Sequence, residues 1–112
     1  MNLHGTATPS NDAAEDIAIH ALFGDAVPVN STKGMTGHTL GAAGAVEAVI
    51  SVLAIEEGHV PGSAGTRSVD PALHASYQVR GYPREISRVL SNSFGFGGSN
   101  CSLIFGRLRH AA

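Results

Sequence analysis

Residues 33–44 read KGMTGHTLGAAG and run without a break into AVEAVISVLAIEE, residues 45–57. The first part holds the chain's only lysine, Lys33, and a histidine, His38, among four glycines. The second part is apolar nearly all round, so Leu40–Glu57 is predicted to be a helix covered on most sides and closed by Gly58. Gly41, Ala42, Ala43, Gly44 and Ala45 leave room for a neighbour to pack very close to its first turns. From Leu40 to Ile55 such a helix is about 24 Å long, short of a bilayer core of about 30 Å. It also carries Glu47 and Ser51. It reads as a buried helix of a soluble protein and not as a membrane span.

Working outward, Val27–Ser31 reads as a strand, and residues 32–39 as a glycine-rich turn leading into the helix. Met1–His4 looks like the end of another strand, followed by a turn over residues 5–11. Asp12–Phe23 is predicted to be an amphipathic helix. Ala14, Ile17, Ala18, Ala21 and Leu22 form its apolar face, and Asp12, Glu15, Asp16 and His20 are polar. Asp12 with Glu15 makes an N-terminal capping box, and Gly24 supplies the stop. Residues 59–88, broken by glycines and prolines, read mainly as loop. So long a loop suggests a functional or interface role. Val89–Ser93 and Ser102–Gly106 are predicted strands joined through FGFGGSNC, residues 94–101, and residues 107–112 are expected to fray. The order β-α-β-α-loop-β-β indicates an α/β layered fold occupying residues 1–112 as one domain or a piece of one.

The formal net charge of −2 gives no reason to expect nucleic acid. The charge is uneven: residues 1–66 carry one lysine and seven acids, for −6, and residues 67–112 carry six arginines and two acids, for +4. The basic part suits either an acidic partner or a solvated surface. The one cysteine, Cys101, excludes an internal disulfide and fits a reducing, cytoplasmic setting. No signal peptide is visible after Met1.

Two histidines stand where chemistry is expected. His4 closes a strand ahead of Gly5-Thr6-Ala7-Thr8-Pro9, and His38 closes the second strand-to-helix turn. Crevices beyond the C-terminal ends of strands are where α/β sheets hold ligands, and two imidazoles there can donate to a developing oxyanion. Either alone is more often a packed or surface histidine, but the pair, with Lys33 near His38, favours a site. Glu47 lies inside an apolar helix and needs a partner, for which Lys33 is the natural candidate; a solvated helix position is the alternative. Gly95-Phe96-Gly97-Gly98 does not have dinucleotide-binding spacing. It is either a plain hairpin turn or a source of backbone N–H donors with an aromatic gate. Cys101 has no local base and reads as a small buried residue. His4, His38 and Cys101 show no metal-ligand spacing.

HGTATPSNDAAE, NSTKGMTGHTLGAAGAVEA and SNSFGFGGSNCSLIFGR together resemble the C-terminal half of β-ketoacyl-acyl-carrier-protein synthases, the elongating condensing enzymes of the thiolase superfamily. The resemblance covers residues 1 to about 58 and 88–107, and residues 59–88 match poorly. It implies half of a thiolase-like layered α/β/α/β/α fold, and decarboxylative Claisen condensation of an acyl thioester with malonyl-carrier protein in fatty-acid or related polyketide synthesis. By motif position it implies that His4 and His38 are the catalytic histidines, that Lys33 orders the site with Glu47 in support, and that Phe96 is the gate and oxyanion residue. Thr6 and Thr8 are then the hydroxyls that bind the carrier's phosphopantetheine. It implies no bound cofactor and no metal, an acyl carrier protein as partner, and a homodimer in the complete enzyme. The family's nucleophilic cysteine lies in an N-terminal half absent here, so the chain is expected to be a C-terminal fragment, inactive alone. A non-catalytic domain that binds an acyl or pantetheine group, or pairs with a partner chain, is the alternative.

Overall fold

The computed structural model describes residues 1–108, so most of the tail expected to fray lies outside the described residues. In chain order the elements are α1 (Pro9–Phe23), β1 (Pro28–Val29), α2 (Lys33–Thr36), a 3-10 turn (Leu40–Ala42), α3 (Ala43–Glu57), β2 (His59–Val60), β3 (Ser76–Tyr77), β4 (Tyr82–Pro83), β5 (Arg88–Phe94) and β6 (Asn100–Gly106). The expected order is present. α2 occupies the middle of the predicted turn over residues 32–39, the 3-10 turn forms the start of the predicted Leu40–Glu57 helix, and three two-residue strands punctuate the predicted loop over 59–88.

The first residues form the centre of the sheet. Asn2 bridges in parallel to Asn30 on one side and to Ser91 on the other. Leu3 N donates to Asn30 O (2.8 Å) and Asn2 N to Leu90 O (2.8 Å). β1 pairs in parallel with β3, and β5 in antiparallel with β6. The spatial order is therefore β3, β1, residues 1–3, β5, β6, with only β6 reversed. β2 and β4 pair separately.

Side chains alternate across this sheet. Leu3 and Val29 point to one face, where they pack with Ile19 of α1 and with Ala75. Asn2 and Asn30 point to the other face and line a cavity of about 220 Å³ together with Ile50, Ser51 and Ala54 of α3. The two long helices thus cover opposite faces. α3 turns Ala43, Glu47, Ser51, Ala54 and Ile55 inward and ends on Gly58 in the left-handed conformation (φ 59°, ψ 47°), as its sequence predicts. It is less covered than predicted, because Val49, Val52 and Leu53 are exposed.

α1 departs from its prediction. It begins at Pro9, and Thr8 at the cap position makes no side-chain cap bond. Its buried residues are Glu15, Asp16 and Ile19, and Ile17 and Leu22 of the predicted apolar face are 70% and 76% exposed. The helix is rotated so that acids face inward. Backbone N–H groups of neighbouring segments end against this face and need acceptors there.

Candidate functional site

His4 stands at the end of the central strand and His38 beyond α2. The fold brings their rings to 5.4 Å between centroids, edge to face. His4 is buried, with Phe94 of β5 at 5.5 Å from its ring. Burial first, then the positive charge of Lys33 and the neighbouring His38, holds the His4 imidazole below its ordinary value of 6.5, against an opposing pull from Asp12. His4 is therefore neutral at physiological pH, and its buried Nδ1 has no protein partner. His38 is exposed. Its Nδ1 accepts the Leu40 N–H (3.1 Å), so a neutral His38 carries its proton on Nε2. Leu40 has positive φ (52°), a strained conformation for a non-glycine residue.

Lys33 begins α2 and is buried. Its Nζ donates to Glu47 Oε1 and to the His4 carbonyl oxygen (2.5 Å). The predicted Lys33–Glu47 pair is formed. Its ammonium lies under the His4 backbone, with Lys33 buried and His38 exposed, and both residues border the same cleft.

Glu15 is the residue that sequence reasoning missed. The sequence pattern places it on a polar helix face and in a capping box. Instead its Oε1 accepts the His4 N–H (2.9 Å) and the Asn92 amide (3.2 Å), and its Oε2 accepts the Gly5 N–H (2.9 Å). Burial raises its pKa above the ordinary value, only partly offset by the Gly5, His4 and Asn92 donors. His4 is thus clamped through both of its backbone polar groups, its N–H by Glu15 and its C=O by Lys33. Asp16 makes a second anchor. It receives the backbone N–H groups of His74 (3.0 Å) and Ala75 (2.9 Å) and the Tyr77 hydroxyl (3.0 Å). Burial pushes the Asp16 carboxyl up, but these donors outweigh it and hold the pKa below its ordinary value. Tyr77 is raised by burial and by that same bond. The acids of α1 were legible in the sequence, but the direction they face was not.

Thr6 and Thr8 come together, with their hydroxyl oxygens 2.7 Å apart across Ala7, which itself has positive φ (57°). Thr6 and His38 share a cleft of about 1020 Å³ with Pro9, Asp12, Ser63 and Thr66. Phe96 sits at the tip of the β5–β6 hairpin, wholly exposed. The aromatic against His4 is Phe94. Cys101 is free and exposed on β6, contrary to its reading as a buried residue, and lies opposite Ser93.

This arrangement brings together the imidazole N–H donors of His4 and His38, with His4 held neutral by its burial and its backbone fixed by a buried ion pair. Such donors stabilise an oxyanion that develops between them.

Residues 1–67 match the family model described as "Beta-ketoacyl synthase, C-terminal domain". The 3-oxoacyl-[acyl-carrier-protein] synthase 1 of Escherichia coli K12 is 43% identical over 111 residues, which cover 97% of this chain and 27% of that protein. A β-ketoacyl synthase structure from Burkholderia phymatum STM815 superposes with a TM-score of 0.90 at 39% identity, covering 96% of this chain and 27% of that one. The ketosynthase in a type II polyketide complex with its acyl-carrier protein, bound to the hexaketide, gives 0.88 at 33% identity, covering 96% and 27%. The chain thus spans about a quarter of the length of the relatives it matches.

Proposed function

Because the chain belongs to the β-ketoacyl synthase family, through that family's C-terminal domain, we propose that it supplies the decarboxylating side of a condensing-enzyme active site. The substrate is a malonyl thioester on the phosphopantetheine of an acyl carrier protein. The His4 ring and His38 Nε2–H donate to the thioester oxygen. The bond to the carboxylate breaks, CO₂ leaves, and its electron pair forms an enolate whose negative oxygen lies between the two donors. The enolate carbon then attacks an acyl thioester held on a cysteine outside these residues. The new C–C bond forms, the thiolate departs, and β-ketoacyl-carrier protein remains. Lys33 and Glu47 do not touch the substrate in this scheme; they fix His4.

The observation that carries this reading is the pair of imidazoles 5.4 Å apart, one of them neutral and clamped from below. The Thr6 hydroxyl at the cleft, with that of Thr8 beside it, suits the amides of the pantetheine arm. Phe96 takes its gating role only if the hairpin tip folds back when substrate is bound. The carrier protein seen with the polyketide relative supports the same class of partner here. The reading sets the reaction in the cytoplasm, in fatty-acid or related polyketide synthesis, within a dimeric complete enzyme. No helix among the described residues is long and apolar enough to cross a membrane.

The test measures CO₂ release from malonyl-carrier protein and acylation of the nucleophilic cysteine separately, in the complete enzyme. His4→Ala and His38→Ala are each expected to lower CO₂ release by about 10²–10³-fold, the typical loss for one oxyanion donor, with acylation retained. CO₂ release at the wild-type rate in both variants overturns the assignment. Carrier binding without any CO₂ release from wild type would establish the non-catalytic alternative.

A further inference from the structure

The segment with no motif, residues 59–88, lines much of the cleft beside Thr6 and His38, and one of its turns reaches α2. Ser63–Thr66 forms a β-turn closed by Thr66 N donating to Ser63 O (3.0 Å), with Gly65 at positive φ (86°) in the third position. This turn lies directly on the backbone of α2. A Cβ placed on Gly34 would overlap the Ala64 carbonyl oxygen and stand 2.9 Å from its carbon. Gly34 follows Lys33 immediately, so the contact sits one residue from the ammonium that clamps His4. The turn is braced in turn from behind. Ser63 N donates to Gln78 O (2.8 Å), Ser63 Oγ receives the Ser31 N–H (3.3 Å), and a Cβ on Gly62 would come within 2.6 Å of Gly81 N and Val79 O. Three backbone layers, residues 79–81, 62–65 and 33–34, therefore stack at distances only glycine permits.

The geometry assigns the Ser63–Thr66 turn as a positioning element that presses α2 into place and so holds Lys33 against Glu47 and the His4 carbonyl. The part it plays in decarboxylation rests on the function proposed above. The turn itself makes no catalytic contact: its effect on the reaction runs through Lys33. Since the same turn borders the cleft with Thr6 and His38, its height also sets the width of the entrance beside them.

Lys33 is the chain's only lysine, so its reactivity reports directly on this seat. The full chain is treated with an amine-acetylating N-hydroxysuccinimide ester, and the rate at Lys33 is read by peptide mass spectrometry. Gly34→Ala inserts the overlapping methyl from the α2 side. Gly65→Ala strains the turn from the other side, without altering any residue of α2, and serves if Gly34→Ala does not fold. Both are expected to raise Lys33 labelling by about tenfold or more, as a local opening. Amide exchange in β5 and β6 is expected to stay unchanged. In the complete enzyme, CO₂ release should fall more than cysteine acylation. Unchanged labelling in Gly65→Ala overturns the seat, and exchange that quickens equally in β5 and β6 shows general loosening and overturns it as well. Faster labelling with undiminished CO₂ release overturns the role in positioning. A wild-type enzyme that releases no CO₂ refutes the function proposed above, and the labelling comparison still decides whether the turn seats Lys33.

Discussion

Replacing Lys33 by Met removes the ammonium from a site where both partners are out of water: the side chains of Lys33 and Glu47 are 7% and 2% exposed. Glu47 Oε2 already lacks a protein partner, so the substitution leaves both carboxylate oxygens without one. Removing one member of a buried ion pair costs about 3–5 kcal/mol. Loss of the donor to the His4 carbonyl adds about 1 kcal/mol. The sum, roughly 4–6 kcal/mol, approaches the whole stability of a marginal domain, about 5–15 kcal/mol. Glu47→Leu is milder, about 3 kcal/mol, because the ammonium keeps the His4 carbonyl. The double variant Lys33→Met/Glu47→Leu removes both charges and fills the space with apolar atoms. It is expected within about 2 kcal/mol of wild type, a coupling of at least about 5 kcal/mol. Urea titration followed by far-ultraviolet circular dichroism measures all four proteins. In the complete enzyme the double variant should fold yet release little CO₂, which separates holding the fold from ordering the site. A double variant as unstable as the two singles combined would falsify the account. A loss below about 1 kcal/mol for Lys33→Met alone would show that water reaches Glu47 and would overturn it equally.

Stability should fall as pH drops below 6.5, because His4 is depressed in the folded chain and only the unfolded chain takes up that proton. Glu15 acts in the opposite sense, since its raised pKa means that the folded chain binds the proton first as pH falls toward 4.5. His4→Asn should therefore make the decline below 6.5 shallower in urea titrations, and an unchanged slope would refute the His4 assignment. Below 3.8 Asp16 dominates: its depressed carboxyl gives stability that is lost as pH falls through its folded value. Asp16→Ala leaves the buried Ala75 N–H without an acceptor and should cost roughly 2–4 kcal/mol. Amide exchange should quicken first over residues 74–77, and a uniform increase would contradict the anchor. Ile17→Lys with Leu22→Glu should change stability by less than about 0.5 kcal/mol each, as expected for exposed positions; a loss of 2 kcal/mol would mean that the apolar face of α1 packs against something. Cys101 should stay unmodified when the chain is incubated with acyl-carrier protein, and stable acylation in intact mass spectra would make it a nucleophile.

The elements most legible in the sequence were those whose pattern has one physical solution. Leu40–Glu57 could only be a helix, and α3 with its leading 3-10 turn occupies that span, although Val49, Val52 and Leu53 are left exposed. An acid in its apolar interior needed a cation, and the chain has only one lysine to offer; Lys33 and Glu47 meet. The strands of the β5–β6 hairpin were found to within two residues. The site was legible as a set of residues and less so as a geometry. Lys33 and His38 are five residues apart, and spacing alone does not show that the short α2 between them leaves one buried and the other exposed. Phe96 stands in solvent, and the neighbouring Phe94 holds the place against His4. Spacing of one or two residues in a hairpin decides which aromatic faces the site, and composition does not report it.

α1 shows where a periodicity argument meets its limit. The amphipathic rule assumes that the inward face is the apolar one, since burying an unpartnered charge is costly. That cost falls when the charge meets donors that would otherwise have none. The turn after the central strand presents the His4 and Gly5 N–H groups, and the segment before β3 presents those of His74 and Ala75, all directed at one side of the helix. Four backbone donors there need acceptors. Glu15 and Asp16, adjacent in sequence, supply four carboxylate oxygens, and Ile19 one turn further on supplies the apolar contact. An apolar face in the same orientation would leave those donors unsatisfied, so the helix lies with its acids inward. The donors belong to segments far away in the sequence, up to 59 residues from their acceptor. No window confined to α1 contains the information that sets its rotation.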